Sequence, residues 1–266
     1  MGIRDWFKKK PKTEAGAASE PKRERVGDPD VMAAIHAIDG TAPSIKAARK
    51  AVTDSPMSNS ERAEAFRLIA AAVPYRNQRD NAADGDVMCN MTSMAMSLNG
   101  LGVGTDESDG TQFENTLDAR RKKAGLSRYD ENQRETLAEK QGLDASTLKT
   151  PSFSDAAAAK DWYGKNVKPR LEAGQTATFG VEGDGFRHVI RLEWVEDKGL
   201  KIDDPFGRGV NEDDKGKVGY GALNAQKGQG GVGANDFMPW AQVARLNGNK
   251  YVQLYGERAQ KVKKRA

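Results

Sequence analysis

Close to Gly174 the spacing of apolar residues changes from three-and-four to two, and this change of period limits the chain more than any other feature. Before it, Val31, Met32, Ile35 and Ile38, then Ile45, Ala48 and Val52, then Ala65, Leu68 and Ile69 fall at helical intervals. They predict three short helices within residues 29–73. Met91, Met94, Ala95 and Leu98 stand at i, i+3, i+4 and i+7, one buried stripe of a further helix. Residues 112–143 predict two polar helices anchored sparsely by Phe113, Leu117, Leu126, Leu137 and Leu143, and 154–171 another, capped by Ser154. After Gly174, residues 176–181 and 187–195 alternate as strands, 196–199 reads as a turn, and 200–203 as the strand it leads into. A last helix is expected over 237–246 and a last strand over 251–255. Helices first and antiparallel strands second predict an α+β fold.

Only 37% of the 266 residues are hydrophobic and 30% are charged, so the core is smaller than the length suggests. The pattern divides the chain into a flexible basic leader (1–28), a helical N-terminal extension (29–72), a main domain (73–256) with a long loop at 207–235, and a basic tail (257–266). Residues 1–28 hold eight Lys/Arg against five Asp/Glu, and 257–266 hold five against one, so a formal charge of +4 leaves the body at −3. Basic ends on a weakly acidic body argue against a nucleic-acid groove. No apolar run is long enough to span a bilayer, and the first residues lack the apolar segment of a Sec signal, which predicts a chain that is cytoplasmic at synthesis. One cysteine and two histidines exclude an intrachain disulfide and a multi-Cys zinc site, and no cofactor is expected.

Chemistry must therefore use few parts. A thiol is a useful nucleophile as thiolate, which a helix N-terminus and a neighbouring imidazolium both favour. Cys89 opens the helix of the Met91 stripe, and His188 starts a strand on which Ile190, Leu192 and Trp194 share its face. A base histidine needs an acceptor for its second ring nitrogen. Strand parity puts Asp204 with Leu200 and Ile202, and Asp203 with Lys201, which selects Asp204. A tight turn at Asp197 and Lys198 would set Arg191, not His188, opposite Asp204, so the hairpin must contain a wider turn or a bulge. An oxyanion formed at the thiol needs a donor besides the backbone, and Gln78 can supply it, with Asn77, Asn81 and Asn90 as nearby rivals.

The run Tyr75 to Asn81, the segment Cys89 to Met96 with Leu98, Gly185-Phe-Arg-His188 and Asp204-Pro-Phe-Gly207 together resemble the papain-like cysteine peptidases, in the branch similar to the double-glycine leader peptidases. Gln112-Phe-Glu114, Gly125 to Tyr129, Phe237 and Trp240 add to the likeness, which spans residues 73–256. The resemblance implies Cys89 as nucleophile, His188 as base, Asp204 as its orienter and Gln78 at the oxyanion hole. It also implies a helical half against an antiparallel sheet, with the cleft between. Arg187 departs from the small residue expected before the histidine. The compact cysteine motif of true leader peptidases and a transporter domain are both missing, so leader processing is not implied.

The function expected is hydrolysis of an amide or peptide bond through a Cys-His-Asp triad and an acyl-enzyme, on a protein or on cell-wall peptide. A catalytically silent binding module and an acyl transferase with the same triad are the alternatives. Absence of a Sec signal would suit an effector passed to a secretion or injection machine, with the N-terminal region as the loading part.

Overall fold

The computed structural model describes residues 26–81, 85–104, 112–183, 186–207, 211–212, 218–219, 233–246 and 251–258. Almost all of the expected leader, most of the tail and most of the 207–235 loop lie outside the described residues. Three helices open the chain: α1 (Pro29–His36), α2 (Ala42–Asp54) and α3 (Asn59–Ala71). Each is capped locally. Asp28 accepts from the Asp30 and Val31 amides, Thr41 from Ser44, and Ser58 forms a reciprocal capping box with Glu61. Two single 3-10 turns (Gln78–Asp80 and Gly85–Val87) then lead into α4 (Cys89–Asn99), followed by α5 (Phe113–Lys123) and α6 (Glu131–Glu139).

The remainder supplies β1 (Leu143–Lys149), α7 (Ala156–Asn166), α8 (Lys168–Glu172), β2 (Thr176–Gly183), β3 (Phe186–Val195) and β4 (Gly199–Asp203). The two-residue strands β5 (Asn211–Glu212) and β6 (Val218–Gly219), then β7 (Asp236–Pro239), α9 (Trp240–Arg245) and β8 (Tyr251–Glu257) complete it. Six strands form one antiparallel sheet in the order β1-β8-β2-β3-β4-β7, and β5 pairs with β6. The architecture is α+β, as the change of period predicts. No helix among the described residues is long and apolar enough to cross a membrane.

Three local expectations fail. Leu143 does not anchor a helix but opens β1, an edge strand with little apolar alternation to reveal it. The helix expected over 154–171 starts from an Asp155 cap rather than Ser154, and breaks at Val167 because Pro169 lacks an amide and crowds the preceding turn. Residues 237–239 pair with β4 before the chain turns helical at Trp240.

Two apolar clusters organise the molecule. One joins Ile45 and Ile69 of α2 and α3 to Phe179, Ile190 and Leu192 of the sheet and to Tyr163 and Trp240, so residues 29–72 share a core with the sheet. The other joins Met91, Met94 and Leu98 of α4 to Phe113, Leu117, Leu137, Leu143 and Tyr255. Met96 belongs to the first cluster, and every residue from Asn90 to Asn99 is buried. The stripe read from the sequence is thus one face of a helix covered all round.

Candidate functional site

A helix this deeply buried carries its polar groups only if they are bonded. Ser93 Oγ donates to the Val189 carbonyl of β3 at 2.9 Å, Ser97 Oγ to the Ala177 carbonyl of β2 at 3.0 Å, and Thr176 Oγ1 to the Ser97 carbonyl at 2.9 Å. Each such bond contributes about 1 kcal/mol net, against about 2 kcal/mol for each buried Met or Leu. Apolar packing therefore holds α4 on the sheet, and the hydroxyls set where along the strands it stops. The stop places Cys89, the first residue of α4, beside the start of β3. No side chain caps α4. Instead Asn90 donates to the Arg128 carbonyl at 2.7 Å, and Arg128 reaches the Val87 carbonyl at 3.3 Å and Asp118 at 3.4 Å, bracing the segment that leads to the cysteine.

The hairpin between β3 and β4 meets the demand made on it by sequence. Its turn is tight, with the Glu196 amide on the Gly199 carbonyl at 2.9 Å, and Val195 pairs Leu200 and Trp194 pairs Lys201. A bulge at Glu193 then shifts the register, so Leu192 pairs Ile202 and Arg191 pairs Asp203. Residues directly opposite share a face. Arg191 accordingly forms a buried ion pair with Asp203, and Asp204, one step on, turns to the face of Ile190 and His188. His188 Nε2 lies 2.7 Å from Asp204 Oδ1, with both side chains buried.

Asp204 is itself gripped from three sides. Its Oδ1 accepts the Phe206 amide at 2.9 Å, Tyr75 donates its hydroxyl to the Asp204 carbonyl at 2.8 Å, and the Asp204 amide donates to the Gly233 carbonyl at 2.9 Å. A Cβ on Gly233 would sit 2.0 Å from the Asp204 carbonyl oxygen, which explains a glycine there. Gly233→Ala must therefore displace the Asp204 turn. The expected result is a loosened His188–Asp204 contact and a His188 midpoint that falls below about 10. Proton NMR of the imidazole across pH checks it, and an unmoved midpoint would contradict the clamp. Nothing in a glycine-rich run announces which glycine meets Asp204, so Gly233 is among the residues that sequence reading misses.

Burial opposes the thiolate of Cys89, but the His188 charge, a hydrogen bond from His188 and the Val189 and Asn90 amides outweigh it, holding the thiol below its ordinary range. Burial likewise opposes the imidazolium. The Asp204 carboxylate and the Cys89 sulfur overcome that and raise His188 to about 10. Since Nε2 faces Asp204, Nδ1 is the nitrogen left for the sulfur. The arrangement draws the Cys89 thiol towards thiolate and the His188 ring towards imidazolium.

Gln78 is 1% exposed. Its amide nitrogen donates to the Gly85 carbonyl at 2.7 Å, just ahead of the cysteine helix, and its backbone amide donates to the Pro205 carbonyl at 2.8 Å, beside Asp204. One Nε2 hydrogen is thereby spent and one remains, while Oε1 is buried without a partner. The rivals are engaged elsewhere: Asn77 caps the Arg79 amide, Asn81 bonds the Gln78 carbonyl, and Asn90 bonds Arg128. Arg187 is exposed and pairs with Glu182 at 3.2 Å, directed away from His188. Among the described residues no group of three or more His, Cys, Asp or Glu is placed to hold a metal ion. Comparison with protein-family models, with curated proteins and with solved structures gives no match.

Proposed function

We propose that the chain is a cysteine hydrolase of papain-like architecture, similar to the leader-peptidase branch, that cleaves an amide or peptide bond. The observation that carries this reading is the buried 2.7 Å contact of His188 with Asp204, made by a ring that also bonds the Cys89 thiol. Cys89 thiolate attacks the carbonyl carbon, and the oxyanion is held by the Cys89 amide and the second Nε2 hydrogen of Gln78. As the C–N bond breaks, the His188 imidazolium gives its proton to the leaving amine. Neutral His188 then takes a proton from water, whose oxygen attacks the thioester, and as the C–S bond breaks the acid departs and the Cys89 thiolate is expelled beside the imidazolium. The substrate class is a protein or the peptide of a cell wall. Loading onto a secretion or injection machine through the N-terminal region belongs to the same proposal.

Iodoacetamide at mildly acidic pH is expected to label Cys89 stoichiometrically, and incubation with denatured casein or peptidoglycan to release new amino termini. A thiol inert below pH 7 together with no new termini from either would sink the reading. Labelling without cleavage would point to transfer onto an amine acceptor in place of water.

A further inference from the structure

Arg134 on α6 is 2% exposed, yet its guanidinium is held by neutral groups alone. Nε donates to Gln253 Oε1 at 3.1 Å, Nη1 to the Arg128 carbonyl at 2.8 Å and Nη2 to the Tyr251 hydroxyl at 2.7 Å. Glu131 and Glu135 of the same helix are partly exposed and act electrostatically on Tyr251 and Tyr255, but neither bonds Arg134. A buried cation so placed is costly unless net negative charge lies close. In the hydrolase reading, the thiolate, imidazolium and carboxylate of Cys89, His188 and Asp204 together carry one net negative charge.

Two contacts bring that charge and Arg134 together. The Arg128 carbonyl that accepts from Arg134 also accepts from Asn90 at 2.7 Å, and Asn90 follows Cys89 in α4. On the other side Tyr251 stands in a row with Gly180 and Val189 across β8, β2 and β3, and the Cys89 sulfur acts electrostatically on its hydroxyl. A Cβ on Gly180 would meet the Tyr251 ring at 2.6 Å, so the glycine lets the ring lie over the sheet with the guanidinium 5.2 Å from its centre. His188 on β3 acts on Cys89 directly, Tyr251 on β8 feels both the Cys89 sulfur and the Arg134 charge, and the Arg128 charge is met by Asp118 of α5.

We propose that Arg134 is a positioning residue that supplies the counter-charge to the site, favouring the Cys89 thiolate through its contacts with Tyr251 and the Arg128 carbonyl. The proposal rests on the hydrolase reading of Cys89, His188 and Asp204. The pH dependence of Cys89 alkylation by iodoacetamide tests it in the full chain. Arg134→Met is expected to raise the alkylation midpoint by about one pH unit, and Arg134→Lys to restore most of it. A midpoint equal in wild type, Met and Lys variants overturns the proposal while leaving the hydrolase reading intact; a wild-type thiol with an ordinary midpoint overturns both. Because Arg134→Met empties three buried hydrogen bonds, Tyr251→Phe provides a milder second variant that removes only the hydroxyl. Its midpoint is expected to rise by a smaller amount, and if Arg134→Met fails to fold, an unmoved midpoint in Tyr251→Phe overturns the proposal.

Discussion

His188→Ala is expected to lower amide cleavage by about a thousandfold or more, and to move the alkylation midpoint of Cys89 from below the ordinary thiol value of 9.0 to above it. The two effects share one cause. Burial alone pushes the thiol up, and the His188 charge is the largest influence pulling it down, so removal of the imidazole leaves burial opposed only by the Val189 and Asn90 amides. The proposed ion pair would span the interval between a depressed thiol and an imidazole raised to about 10. Wild-type alkylation should therefore persist into mild acid, while cleavage should fail on the alkaline side as the imidazolium loses its proton. The sign for stability follows from the same shift. His188 is raised above 6.5 on folding, so its stabilising contribution is complete below pH 6.5 and fades as pH climbs towards 10. Thermal melts of wild type and His188→Ala should accordingly converge between those limits. Mass spectrometry of alkylated protein across pH gives the midpoint, and identical profiles for the two proteins would show that no ion pair exists.

The parts of this site that lie on single elements were readable from the chain. A cysteine opening an apolar helix and a histidine opening an alternating strand are local patterns, and the structure puts both where period and parity place them. The choice of Asp204 over Asp203 was readable too, because side chains alternate strictly along a strand and Asp203 is spent on Arg191. What parity cannot supply is distance. The bulge was demanded by a conflict between a tight turn and the required contact, but its position at Glu193 is a matter of register that alternation does not reveal. The supports of the site were least legible. Arg128, Arg134, Tyr251 and Gly233 act across intervals of up to 119 residues, and an arginine in a polar helix looks the same whether it faces water or the sheet. Edge strand β1 was lost for a related reason: it is paired on one side only, and its seven residues leave too little apolar alternation to separate strand from helix.

Asp204 separates orientation from charge, and its two simplest variants should differ sharply. Asp204→Ala removes the acceptor of His188 Nε2 and of the Phe206 amide together, leaving a donor unmatched at each. A fall in kcat of about a thousandfold is expected, because the ring is free to leave the thiol, along with about 1–3 kcal/mol of stability for the stranded amide. Asp204→Asn keeps an oxygen at the same place and therefore keeps the ring aligned, but withdraws the carboxylate that does most to raise His188. Its kcat near neutrality should remain within about tenfold of wild type, while the alkaline limit of the pH profile should move well below 10, since the imidazolium is then supported by the thiolate and opposed by burial. If Asp204→Asn loses as much activity as Asp204→Ala with an unshifted alkaline limit, Asp204 is a structural knot of the turn and the base is held by something else. If the limit moves and activity survives, the carboxylate is what keeps His188 charged, and the bulge at Glu193 is the backbone feature that lets a tight hairpin deliver it.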